Sequence, residues 1–353
     1  MKPKPDAVVL FSGGLDSLLA AKLMVAQGLS VLCAHFFSPF FGRDKPSRIW
    51  ADEYGLEALT VDLSIDFAKM MATGPAYGYG KHLNPCIDCK ILQLSKARDI
   101  MENVGARFLV TGEVPGQRPM SQRKDTLNLI QREAGVRDLV LRPLSARLLP
   151  PVAAEREGLV DRERLLSISG RGRTPQYELA EKFGLRTIPS PAGGCALTEA
   201  ESSRRYWMIF EDYRRRGKDD PAALSRDLRL ANIGRFVCRK DENVLYWAMI
   251  GRNSGDNQRL ADALEAGDLL LRMARFPGPI TLCRRGKTWP RAILESLAAH
   301  MAVYATRAVA AGGAATIRCY GQDFHEFFPV IPGKDPAWGL PQWEEIRKEI
   351  RGK

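Results

Sequence analysis

The sequence predicts an α/β protein: a doubly wound parallel sheet over the first 145 residues, joined to a second, smaller α+β domain. Three observations predict it. Apolar strand-like runs alternate with helix-like stretches up to residue 145, as βαβ units require. A glycine-rich turn, "SGGLDS" at residues 12–17, follows the first of those runs and opens a helix. After residue 200 the texture changes to short strands, a basic aromatic helix and an Ala-rich stretch.

In order, "AVVLF" reads as a buried strand and "SLLAAKLMVAQG" as a helix closed by Gly28. "SVLCAHFF" is a second strand, "PSRIWADEYG" a helix ending near Gly55, and "ALTVDLS" a third strand. "CKILQLSKARDIMENVG" reads as a helix, and "ARFLVTGE" and "DLVLRPLS" as two more strands. Residues 146–200 form an irregular bridge with Pro150, Pro151, Pro175, Pro189 and Pro191, the basic loop "SGRGRTP" and a helix, "PQYELAEKFG". Residues 201–353 form the second domain, opening on "SRRYWMIFEDYRRRG" and carrying one long Ala-rich helix around 290–311.

At 353 residues the chain has room for two domains or three small ones. Its net charge of +11 suggests an acidic partner, nucleic acid first, against the alternative of a generally basic surface. The N-terminal apolar run is too short for a signal peptide, and no stretch approaches the roughly 20 apolar residues that span a bilayer. A cytoplasmic protein without membrane contact is expected, with mostly reduced cysteines. Cys33, Cys238, Cys283 and Cys319 stand alone in apolar or mixed stretches and read as small core residues.

The glycine turn is the first chemical signal. Its glycines let backbone N–H groups approach an anion, and the helix N-terminus adds its positive end. Ser12 and Ser17 can donate hydroxyl hydrogen bonds to phosphate, while Asp16 suits Mg²⁺ beside it. No Walker lysine is present. "SGGLDS" resembles the PP-loop of ATP pyrophosphatases, of the adenine nucleotide alpha hydrolase-like fold, which cleave ATP between the α and β phosphates and adenylate a substrate. The resemblance makes Ser12, Gly13, Gly14, Asp16 and Ser17 the residues that grip ATP and Mg²⁺. It also puts the crevice between the first and fourth strands. There "TGEVPGQRPMSQ" follows the fourth strand, with Gly112 and Gly116 for close backbone approach and Glu113, Gln117, Ser121 and Gln122 for polar contacts. His35 and Phe36, in "AHFF", fall where this family receives adenine.

Cys86 and Cys89 form a C-x-x-C in "NPCIDCK", and Cys195 lies over a hundred residues later in "SPAGGCALTE". A C-x-x-C alone can be a redox pair, a zinc half-site or a cluster site. His82 is near in sequence but reads as a surface residue. Three thiolates suit a [4Fe–4S] cluster with one iron left open. The PP-loop, "NPC", "TGE…GQ…SQ" and "GGC" together resemble the tRNA thiouridine synthetases, with cysteines like those of the 2-thiouridylases and a second loop like that of the 4-thiouridine synthetases. The resemblance covers roughly residues 6–200. Within these 353 residues no counterpart of the 4-thiouridine synthetases' RNA-binding modules precedes the loop, and the C-terminal part does not resemble the 2-thiouridylases' small β-barrel. The modified nucleotide stays open.

In the second domain, "GRN" at 251–253, Asn257 and "PGP" at 277–279 resemble the RNA-binding domain of the NFACT family. Arg204, Arg205, Arg214, Arg215, Arg216, Arg284, Arg285 and Lys287 are candidates for phosphate contacts. Tyr206, Trp207, Tyr213 and Trp289 are candidates for stacking on unpaired bases, unless they are core.

Taken together, the resemblances imply an ATP-dependent tRNA sulfurtransferase. A uridine carbonyl oxygen attacks the α-phosphate, and sulfur from a sulfide or persulfide donor then displaces AMP. Asp16, Cys86, Cys89 and Cys195 are the candidate catalytic residues, the three cysteines the candidate iron ligands, and ATP, Mg²⁺ and a [4Fe–4S] cluster the expected cofactors. Two alternatives stand beside it: a cluster-free enzyme carrying a persulfide on Cys86 or Cys89 and Cys195, and a non-catalytic RNA-binding protein that senses nucleotide.

Overall fold

The computed structural model describes residues 4–118, 120–189, 194–217, 220–242 and 244–351, so Pro191 of the "SPAGGCALTE" stretch lies outside the described residues. The chain divides into two compact units, Met1–Glu199 and Ala200–Lys353.

In the first unit the elements are β1 (Ala7–Leu10), α1 (Leu15–Ala26), β2 (Val31–Phe37), α2 (Arg48–Tyr54), β3 (Ala58–Asp62), α3 (Ser64–Thr73), α4 (Cys86–Val104), β4 (Phe108–Thr111), α5 (Lys124–Glu133), β5 (Val140–Leu141), α6 (Ala153–Arg156) and α7 (Thr174–Lys182). The sheet order is β3-β2-β1-β4-β5, with every pairing parallel. Both faces of β1 are covered, which is why all four of its residues are apolar and buried. Ala7 and Val9 pack with Leu18 and Leu19 of α1, while Val8 and Leu10 pack with Leu94 and Met101 of α4. Ala154, Val160, Leu165, Ile168 and Ala180 join the α1 side, so the proline-rich stretch after β5 belongs to this unit's core. Since β1 lies between β2 and β4, the winding reverses there, and a crevice opens beyond the carboxyl ends of β1 and β4.

The second unit holds α8 (Ala200–Arg215), α9 (Pro221–Leu230), β6 (Arg235–Asp241), β7 (Val244–Ile250), α10 (Ser254–Asp262), β8 (Leu269–Met273), β9 (Ile280–Cys283), α11 (Arg291–Ala302), α12 (Thr306–Ala311), β10 (Ala315–Gly321), β11 (Phe324–Val330) and α13 (Trp343–Arg351). Its antiparallel sheet runs β11-β10-β8-β9-β7-β6, and α11 and α12 cover one face. The "GRN" motif and Asn257 do structural work here. Asn253 Oδ1 accepts from Asp256 N at 2.9 Å and caps α10, while Asn257 Oδ1 accepts from Ile280 N at 2.9 Å and ties α10 to the "PGP" turn.

Of the two readings of Tyr206, Trp207, Tyr213 and Trp289, the core one holds: all four are buried, and none is a stacking platform. Two expectations for this unit are corrected. Arg284 is also buried, and a buried guanidinium must be paired. It meets Asp227 and Asp268, each at 2.6 Å, and Glu265 at 3.0 Å, while Arg285 pairs with Asp212 and Asp227. These two arginines build the fold rather than offer charge to a ligand. The Ala-rich stretch is two helices, not one. The break at residues 303–305 sets Tyr304 under the Arg235 guanidinium, 4.7 Å from its ring centroid, and brings Ala305 against Gly278.

Candidate active site

The turn after β1 is built for close approach. Gly13 has φ +75°, a conformation that a side chain at Cβ disfavours. Gly14 precedes α1 with no side-chain cap, so the first-turn amides of α1 have no partner inside the helix and face the crevice end of the sheet. Ser17 Oγ donates to Gly14 O at 2.9 Å and lies 3.1 Å from Ser12 Oγ, which fixes the loop's shape and joins the two hydroxyls.

Gly112, at the end of β4, explains why this loop and the next lie in contact. A Cβ on Gly112 would sit 2.4 Å from Asp16 O and 2.7 Å from Ser17 N. Only a residue without a side chain fits. Gly112→Ala is therefore expected to cost about 1–3 kcal/mol of stability and to weaken ATP binding by displacing the first turn of α1. Unchanged thermal unfolding together with unchanged ATP affinity would contradict this packing.

A cavity of about 650 Å³ opens here. Ser12, Gly13, Gly14, Asp16 and Ser17 line it from the turn, and His35 and Phe36 line it from the end of β2. His35 is buried, with its ring nitrogens 2.9 Å from Phe11 O and 3.0 Å from Arg43 O and its ring against Trp50. Burial pushes its pKa below the ordinary histidine value, against the two carbonyl contacts. It is a fixed wall of the cavity.

The loop after β4 supplies Gly112, Glu113, Gln117, Ser121 and Gln122 to the same lining. Glu113 is already committed. Its Oε2 accepts from Arg142 Nη2 at 3.0 Å, Arg142 Nε at 3.2 Å and Thr111 Oγ1 at 3.1 Å, and Lys90 Nζ lies 3.6 Å from Oε1. Burial alone would raise its pKa, but Lys90 and Arg142 outweigh it and hold the carboxyl low. Glu113 thus anchors β4 to residues beyond β5 as a charged pair, a role its place in "TGEVPGQ" did not announce.

Asp16 draws together three distant residues. Gln117 Nε2 and Gln176 Nε2 each lie 3.4 Å from one of its oxygens, and Arg173 Nη2 lies at 3.8 Å. Arg173 lines the cavity, and its Nη1 is buried without a hydrogen-bond partner. Sequence reasoning missed Arg173 and Gln176 as site residues. The signal was the loop "SGRGRTPQ", whose arginine stands just ahead of a helix with Pro at its first turn.

All three motif cysteines reach this cavity. Cys86 opens α4 and Cys89 follows on the same helix face. Asn84 Nδ2 donates to Cys86 Sγ and Gln93 Nε2 to Cys89 Sγ, each at 3.2 Å. Cys195 is carried in by its own segment, where Ala196 N donates to Phe40 O at 2.8 Å and Thr198 Oγ1 to Cys195 O at 2.6 Å. Burial pushes the Cys89 thiol up to about 12 and raises Cys195 further, with Cys89 and Cys86 adding to the latter. Among the described residues no three His, Cys, Asp or Glu side chains converge closely enough to hold a single metal ion. His82 Nδ1 lies 2.8 Å from Thr198 O and helps hold the Cys195 segment. Cys33, Cys238, Cys283 and Cys319 are buried elsewhere. Among the described residues no helix is long and apolar enough to cross a membrane.

Residues 4–147 match the family described as "Thiamine biosynthesis protein (ThiI)". A "Probable tRNA sulfurtransferase" of Thermococcus kodakarensis is 25% identical over 176 residues, 49% of this chain and 43% of that protein. The chain therefore spans less than half the length of that relative. A "tRNA-specific 2-thiouridylase MnmA" of Pelotomaculum thermopropionicum is 24% identical over 332 residues, 83% of this chain and 78% of that one. A solved structure of a "predicted subunit of tRNA methyltransferase" from Methanocaldococcus jannaschii overlays with TM-score 0.31 at 14% identity, covering 54% of this chain and 97% of its own. With a parallel sheet whose first βα turn is "SGGLDS", and with these matches, residues 4–147 are similar to the PP-loop, tRNA thiouridine synthetase-like proteins.

Proposed function

We propose that this protein is an ATP-dependent tRNA sulfurtransferase acting on a uridine carbonyl. One observation carries the reading: the pyrophosphate-type turn at the β1/β4 reversal and all three motif cysteines line a single cavity. In the first step the uridine oxygen attacks the α-phosphorus and the bond to the bridging β oxygen breaks. Pyrophosphate leaves, and the base carries AMP on its former carbonyl oxygen. In the second, a sulfur nucleophile attacks the base carbon and the carbon–oxygen bond to AMP breaks.

The chain's residues divide this work. The first-turn amides of α1 and the hydroxyls of Ser12 and Ser17 grip the departing pyrophosphate. Asp16 takes Mg²⁺: its oxygens meet N–H donors only at 3.4–3.8 Å, longer than a firm hydrogen bond of about 2.9 Å, and so can turn to a hard cation. Arg173 is placed to follow the phosphates, and His35 and Phe36 wall the nucleotide base. Cys86, Cys89 and Cys195 fit a [4Fe–4S] cluster by their chemistry, since three thiols share one cavity and thiolates are the usual cluster ligands. When bound, such a cluster supplies an iron with a free position for sulfur.

The test uses purified protein, ATP, Mg²⁺, inorganic sulfide and tRNA lacking thionucleosides. Pyrophosphate release that depends on tRNA, together with a thiouridine in the nucleoside digest by mass spectrometry, is expected. ATP binding with no pyrophosphate release would instead support a nucleotide-sensing RNA-binding protein.

A further inference from the structure

The outward face of the second unit's sheet, where β8, β10 and β11 lie side by side, carries an arrangement of side chains that neither the fold nor the proposed chemistry uses. The pleat alternates along β10 and β11, while on β8 Arg272 is exposed and Leu270, opposite Tyr320, is buried. Ile317, Cys319, Phe328 and Val330 point into the core with α11. Arg318 and Tyr320 on β10, and His325 and Phe327 on β11, point the other way. Register sets Arg318 opposite both Phe327 and Arg272, and Tyr320 opposite His325.

The side chains form a layered platform. Arg318 lies over the Tyr320 ring, 4.8 Å from its centroid, and its Nε donates to His325 Nε2 at 3.0 Å. His325 meets the Phe327 ring edge-on at 5.0 Å. Phe327 is 55% exposed, the most exposed large aromatic among the described residues. A phenylalanine this exposed, cross-strand from Arg318 and on a regular strand whose neighbouring residue Phe328 is buried, is not explained by core packing. Arg272 and Arg318 share this face, and no acidic side chain of these three strands accompanies them: Glu326 alternates to the other face, where it pairs with Arg291. Residues 200–353 hold 26 Lys and Arg against 19 Asp and Glu, so the wider unit carries the same sign.

We infer that this face binds single-stranded RNA, with bases stacking on Phe327 and on the Tyr320–Arg318 layer while Arg272 and Arg318 meet the backbone phosphates. Exposed aromatics on an open antiparallel sheet with interleaved arginines have the chemistry unpaired nucleotides need: a flat apolar partner for the base and a fixed cation for the phosphate. The choice of nucleic acid rests on the tRNA reading above, but the site lies wholly within the second unit and is tested without the thiolation chemistry. It also replaces the buried Tyr206, Trp207, Tyr213 and Trp289 as the stacking surface.

The experiment uses the full chain and a fluorescently labelled oligouridylate, with affinity read by anisotropy at low salt. Phe327→Ala is expected to weaken binding roughly five- to a hundredfold, the range for losing one stacked base. Arg272→Ala combined with Arg318→Ala is expected to weaken binding and to flatten its salt dependence. All three side chains face outward, so circular dichroism and thermal unfolding should stay as in the unaltered chain. Pyrophosphate release from ATP by Phe327→Ala, measured with a saturating RNA substrate, separates the two readings: a failed thiolation assay leaves the binding result standing. Absence of oligouridylate binding by the unaltered chain at low salt overturns the inference. So does an affinity that Phe327→Ala leaves unchanged.

Discussion

Replacing Asp16 with alanine is expected to lower pyrophosphate release from ATP at least about a hundredfold while leaving the fold intact. Asp16 sits in the first turn of α1 with its carboxylate in the cavity, and its contacts to Gln117, Gln176 and Arg173 are all 3.4 Å or longer. Little packing is lost with it, so thermal unfolding should shift by no more than about 0.5 kcal/mol, the usual range for a partly exposed polar side chain. The sign of the activity change is informative. In the proposed complex Asp16 lies beside the phosphates, and if it served only to position Arg173, its removal would free that cation, tighten ATP binding and preserve turnover. If it holds Mg²⁺, turnover collapses whatever happens to ATP affinity. Arg173→Ala in the same assay is expected to raise the KM for ATP more than it lowers kcat, as loss of a phosphate contact should. Full activity in Asp16→Ala would sink the metal-holding role.

How far the site was legible in the sequence depends on which force makes each contact. The turn was legible because "SGGLDS" is local: its glycines, hydroxyls and carboxylate lie within six residues, and the strand before it is marked by four consecutive apolar side chains. Five parallel strands followed from the alternating patterns, while the place of the first strand beside the fourth came from the PP-loop resemblance. Helices α3 and α5 were missed. Each is ten residues long, and α5 has a low apolar content that conceals its single buried stripe of Leu127 and Ile130. For Arg173 and Gln176 the loop "SGRGRTPQ" marks a basic turn ahead of a helix but not its target, because they reach Asp16 across more than 150 positions and only the packing of α7 on α1 brings them there. In the second unit the aromatic residues stayed open between core and stacking surface for a related reason. A basic helix with Tyr206, Trp207 and Tyr213 looks the same in sequence whether its aromatics face water or core. What decided it was Asp212, buried on that helix and accepting from the core Trp247 at 3.2 Å. In "FHEFFPV" nothing local separates the exposed Phe327 from the buried Phe328; strand pairing decides which face each takes.

Single replacement of Cys86, Cys89 or Cys195 by alanine is expected to abolish tRNA thiolation while sparing ATP binding, with the loss of iron as the separate readout. The three thiols line one cavity but come from different origins, two from the start of α4 and one from a segment held by Phe40 and His82. Burial pushes Cys89 up to about 12 and raises Cys195 as well, so as free thiols both stay protonated at neutral pH and are poor nucleophiles. Binding to iron removes those protons, because metal coordination deprotonates a thiol outright. A persulfide carrier in this environment has no such help, and it needs only two of the three cysteines, the second to release sulfur by forming a disulfide that a thiol reductant must reopen. The two routes therefore differ in number. Protein purified without oxygen should be brown and carry roughly four irons per chain, and each of the three alanine variants should lose most of that iron. A colourless, iron-free preparation that is fully active in thiolation, with one of the three alanine variants retaining activity, would remove the cluster and leave the persulfide route in its place.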